Sequence, residues 1–126
     1  MKRFRDIDPI IEHYATELGA RLTKDRPGYP QQLRTFEERR IDWVENDIRK
    51  AIIIQPNFEA TGVNTDLWNF INVAWREGGY SSVPLQWYKS LVTSKDFARI
   101  VNQIEKLLEE SVRNLGNVRL EDLERP

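Results

Sequence analysis

Cysteine is missing altogether, and histidine occurs once, as His13. The first absence removes disulfides, thiolate nucleophiles, cysteine-ligated zinc and iron–sulfur clusters. The second removes any histidine-rich metal centre within one chain. Net charge is scarce too, with 19 basic side chains against 20 acidic ones for a net of −1. Without a basic excess there is no electrostatic footprint for nucleic acid or anionic lipid. No run approaches the ~20 apolar residues of a membrane span. The basic start, Lys2-Arg3-Phe4-Arg5, leads into no apolar stretch of signal-peptide length. The expectation is one soluble domain over residues 1–126 in a reducing cytoplasm. It is expected to bind neither nucleic acid nor membrane and to need no cofactor.

Reaction chemistry is equally sparse. Gly78-Gly79 lacks the strand, glycine loop and helix that cradle a phosphate. Ser81 and Ser82 sit in no Gly-x-Ser-x-Gly elbow, and His13 is the sole histidine base for them. Glu37-Glu38-Arg39-Arg40 reads as a solvated charged face, the alternative being an arginine that clamps a carboxylate or phosphate. The balance leans away from an enzyme.

Tryptophan is what the chain does have. Trp43, Trp68, Trp75 and Trp87 all fall between Arg40 and Val92, flanked by helix-like segments that contain none. In the first of these, Asp8 is placed to cap a helix with Pro9 at its first position. Ile10, Ile11, Tyr14, Leu18 and Leu22 recur at helical spacing. The segment Asp25-Arg26-Pro27-Gly28-Tyr29-Pro30 is expected to stop that helix. The last segment begins with a capping box, Thr93-Ser94-Lys95-Asp96. An apolar stripe then runs from Phe97 to Leu115, with Gly116 placed for a left-handed helix end. Residues 117–126 form a polar tail.

Between the helices the pattern is strand-like. Thr35–Val44 and Ile48–Gln55 read as a hairpin across the turn-forming Glu45-Asn46-Asp47. Leu67–Trp75 fits a helical row through Leu67, Ile71 and Trp75, but its aromatic and β-branched content favours a strand. Leu85–Val92 alternates cleanly and suits a sheet edge, with Pro84 before it and Lys89 within it. The fold class expected is α+β: an N-terminal helix, a four-stranded antiparallel meander and a long C-terminal helix, both helices on one sheet face.

Alternation then raises a question about faces. Trp87 and Tyr88 must point to opposite sides, as must Phe70 and Trp75. Large rings therefore lie on both faces, and those away from the helices are candidates for recognition. The expected function is a non-enzymatic protein-binding or homodimeric module. Its expected binding residues are Arg40, Asp42, Trp43, Asn72, Trp75, Trp87 and Tyr88. The alternative is a small-molecule pocket, or an enzyme, between the sheet and a long loop.

Overall fold

A computed structural model of the chain describes residues 4–27, 35–56, 67–76, 85–92 and 97–123. In chain order these form α1 (Phe4–Leu18), β1 (Arg21–Pro27), β2 (Thr35–Glu45), β3 (Ile48–Pro56), β4 (Leu67–Arg76), β5 (Leu85–Val92) and α2 (Phe97–Gly116). A short 3₁₀ turn, Leu120–Leu123, follows. The strands make one antiparallel sheet in sequence order, β1-β2-β3-β4-β5. The architecture is α+β. The meander expected from the sequence is β2 to β5, and β1 adds a fifth strand beside β2.

That fifth strand corrects the reading of the first helix. Leu18 and Leu22 share a helical spacing, but the helix stops at Leu18. Gly19 takes φ +62°, a left-handed conformation that costs glycine little. Its N–H donates to the Thr16 carbonyl at 3.1 Å, and the Ala20 N–H donates to the Ala15 carbonyl at 2.9 Å. These are the paired bonds of a Schellman end. Leu22 then pairs with Ile41 as a strand residue. At the other end α1 starts at Phe4, so Asp8 lies a turn inside the helix and is no N-cap. Pro9 is likewise not at the first helical position: it lies in the second turn, on the exposed side, and lacks the N–H that would bond back to the residue 5 carbonyl.

The β2–β3 hairpin turns through two residues, with Asn46 at φ 54° and Asp47 at φ 64°. Two consecutive left-handed residues make a type I′ turn, whose twist matches that of the flanking strands. β4 pairs with β3 from Ile48↔Arg76 to Pro56↔Trp68, so Leu67–Arg76 is a strand. β5 pairs with β4 from Leu67↔Val92 to Ala74↔Leu85 and forms the far edge.

One side of the sheet receives both helices. Ile7, Ile11 and Ala15 of α1 meet Ile41, Ile52, Ile54 and Phe70, and α2 supplies Ile104, Leu107, Leu108 and Leu115. Each fully buried isoleucine or leucine contributes roughly 1.5–3 kcal/mol of hydrophobic stabilisation. The Ser111 hydroxyl, buried in α2, donates to the Leu107 carbonyl at 2.7 Å. Gly116 is the last residue of α2 and is not left-handed. The helix instead closes with Val118 N–H donating to the Leu115 carbonyl at 3.2 Å. After α2 the chain docks back, with Val118 and Leu123 buried in the core. The expected capping box at 93–96 and the loops at 60–65 and 78–84 lie outside the described residues.

Candidate functional site

The strand register sorts the aromatic centre into two faces. Trp43 pairs with Lys50, Lys50 with Ala74, and Trp43 packs against the core. Trp68 pairs with Pro56, and Trp87 pairs with Asn72, so their positions belong to that same helix-covered face. Trp75 pairs with Arg49 on the opposite face, and Tyr88 holds a position there opposite Ile71. Of the residues expected to bind together, Arg40, Asp42, Trp75 and Tyr88 share the helix-free face. Trp43, Asn72 and Trp87 share the covered one. Asp42 and Trp43 are consecutive in one strand, so they lie on opposite sides.

The helix-free face has a charged half. The Asp42 carboxylate accepts from Arg21, Nε at 3.3 Å and a terminal nitrogen at 3.0 Å, and from Arg49 at 3.0 Å. Arg21 sits directly across on β1, and Arg49 lies diagonally on β3. Asp42 is buried although no helix among the described residues covers it. Two guanidiniums neutralise the carboxylate and satisfy its oxygens, which makes that burial tolerable. Arg21 and Arg49 were not among the residues expected from the sequence. Arg21 falls within the helical spacing that runs to Leu22, which hides its place on a strand, while strand alternation alone puts Arg49 on the same face as Ala51 and Ile53.

Next to this cluster the face turns apolar. The Arg40 guanidinium carbon sits 5.6 Å from the centre of the Trp75 ring, within cation–π range. Arg40 is on β2 and Trp75 on β4, and Ala51 of β3 lies midway between them by register. Ala51 is fully buried, and its small side chain leaves room for the two larger ones to meet. Ile53, Ile71 and Val73 are half-buried around the pair, and Val44 is 48% exposed. The strip is therefore aromatic and aliphatic with guanidiniums along one flank.

The covered face contains two polar groups of a different kind. Lys50 is buried and donates to Glu45 at 2.7 Å. Asn72 is 2% exposed, and neither its amide nitrogen nor its oxygen has a hydrogen-bond partner. On the same side, Arg39 is buried and grips Asp8 of α1 with Nε at 2.7 Å and a terminal nitrogen at 3.1 Å. The carboxylate-clamping reading of Glu37-Glu38-Arg39-Arg40 thus applies to an internal carboxylate. Glu38 and Arg39 are buried, against the expectation of a solvated run. Lys24 adds to this network through Glu12 at 2.8 Å and Asp8 at 3.7 Å. The bond to Glu12 raises the Lys24 pKa above its ordinary value, with the Asp8 charge adding to the shift.

A further concavity lies between the helices, a groove of about 570 Å³ lined by Tyr14, Leu18 and Val112 with His13, Glu17, Glu109 and Arg113 at its rim. Burial, and the charges of Glu109 and Glu105, raise the Tyr14 phenol above its usual pKa. His13 and Glu17 stand 3.9 Å apart, both well exposed, a spacing too long for a hydrogen-bonded acid–base pair. No helix among the described residues is long and apolar enough to cross a membrane. Comparison with protein families, curated proteins and solved structures finds no match. Function therefore rests on the chemistry of the two sheet faces.

Proposed function

We propose that the chain is a non-enzymatic protein-binding module that takes an acidic partner surface on the helix-free face. The Arg40–Trp75 pair carries this reading. Arginine and tryptophan are the side chains most favoured as interface anchors, and here they stand together amid half-buried aliphatic groups. Two guanidiniums, Arg21 and Arg49, meet the single Asp42 carboxylate, so the flank beside Arg40 keeps an excess of positive charge that suits an acidic partner surface. The cysteine-free composition suits a cytoplasmic setting. The test uses the wild-type chain and an Arg40→Glu, Trp75→Ala variant as baits in a cell lysate, followed by titration of the purified captured protein. The variant is expected to bind at least about tenfold more weakly, the size of an anchor loss. Equal affinity would remove this face from the function.

A second reading has its own support in Asn72. A buried amide without partners costs about 1–3 kcal/mol, so its retention calls for a reason. A small ligand with its own donor and acceptor, entering beside Asn72, would satisfy both atoms. Thermal shifts across a metabolite panel test it. A compound that raises the Tm of the wild type but not of Asn72→Leu supports this reading; a blank panel with a more stable variant counts against it.

A further inference from the structure

The two edges of the sheet are built differently. β1 carries Arg21, Lys24, Asp25, Arg26 and Pro27 within seven residues, and its register shifts between Lys24 and Arg26. Charge, proline and irregularity are the devices that keep an edge from pairing with another chain. Within β5 only Lys89 is of this kind, with Pro84 preceding the strand: it reads Leu-Gln-Trp-Tyr-Lys-Ser-Leu-Val, and its pairing with β4 is unbroken from end to end. Among the described residues, no strand pairs with its other side.

We propose that β5 pairs with the β5 strand of a second copy, joining two sheets into one continuous sheet. The inference is independent of the partner-binding face and uses different atoms. Identical strands related by a two-fold axis perpendicular to the sheet run antiparallel and keep each residue on its own face. Residues that meet must then have the same parity, which restricts the register to a few choices. Centring on Lys89 sets it against Lys89 of the second copy, a like-charge pair that is destabilising. Centring on Trp87 shortens the ladder, because the strand starts at Leu85. Centring on Tyr88 avoids both faults. The strand is nearly palindromic about that point: Leu85 meets Leu91, Gln86 meets Ser90, and Trp87 meets Lys89. That self-complementarity favours a second copy over a foreign strand. All the helices then lie on one side of the joined sheet, and both helix-free faces look the same way.

The lack of cysteine makes the register directly measurable. Sedimentation velocity of the wild type is expected to show a dimer. Under mild oxidation, Tyr88→Cys is expected to cross-link to itself at least about tenfold faster than Gln86→Cys or Ser90→Cys alone, since only directly opposed residues fall within disulfide reach. Mixing Gln86→Cys with Ser90→Cys should restore cross-linking, which covers the case in which Tyr88→Cys folds poorly. Tyr88→Lys, putting like charges on the axis, should give a folded monomer by circular dichroism and sedimentation. A monomeric wild type would overturn the proposal. So would a dimer in which neither Tyr88→Cys nor the Gln86→Cys and Ser90→Cys mixture cross-links preferentially.

Discussion

Arg39 shows how single side chains hold the two layers together. Its guanidinium is buried beneath α1, and Asp8 satisfies it with two hydrogen bonds. Removing Asp8 takes the carboxylate from a buried guanidinium, which keeps its hydrogen bond to the Glu38 carbonyl. Asp8→Ala is accordingly expected to cost about 3–5 kcal/mol, a large part of a small domain's stability. Urea unfolding would show this as a lower midpoint at unchanged slope. Tyr14 gives a pH signature. Burial and two nearby glutamates disfavour its phenolate, so the folded protein holds the phenolic proton more tightly than the unfolded chain does. With the folded pKa raised, its contribution is complete below the ordinary phenol value of about 10 and is lost as pH rises through the folded pKa. Lys24, also raised, loses its contribution over the same alkaline range. Thermal melts between about pH 9 and pH 11 should thus fall less steeply for Tyr14→Phe than for the wild type. Equal slopes would mean that Tyr14 is not the group responsible.

Elements differ in how plainly the sequence announces them. β2 to β5 follow from alternation, β-branched runs and a turn-forming Asn46-Asp47, because a sheet with one covered face imposes a period of two. β1 was hidden because Leu22 satisfies both a helical spacing and a strand position. One glycine conformation decides between them, and φ is not written in a hydrophobic pattern. The site was half legible for a related reason. Arg40, Asp42 and Trp75 follow from parity along their strands, whereas grouping Trp43 and Trp87 with them weighed residue type above direction. The Asn46-Asp47 turn carries a prediction. Its second residue sits at φ 64°, where glycine is preferred in type I′ turns. Asp47→Gly should stabilise the protein by roughly 0.5 kcal/mol, seen as a small rise in urea midpoint. A fall would show that the Asp47 side chain has a role in the turn.

Across the whole molecule, the stretch after α2 acts as a closing piece. Val118 and Leu123 are buried against the same core that α1 and α2 cover, and the Leu120–Leu123 turn packs near β4. Leu123→Ala should cost about 2–5 kcal/mol, the usual loss for a buried leucine. A loss under about 0.5 kcal/mol, the scale of a surface substitution, would mean that the tail is held too loosely to matter. The sheet order has a kinetic consequence. Every strand lies beside its neighbours in the chain, so most pairings close short loops and contact order stays low for a protein rich in strands. The β2–β3 hairpin has the tightest connection and is the natural nucleus. α1 and α2 are far apart in the chain, so their docking is expected to follow the transition state. Substitutions at the hairpin turn should therefore alter folding rates, and those between the helices mainly unfolding rates.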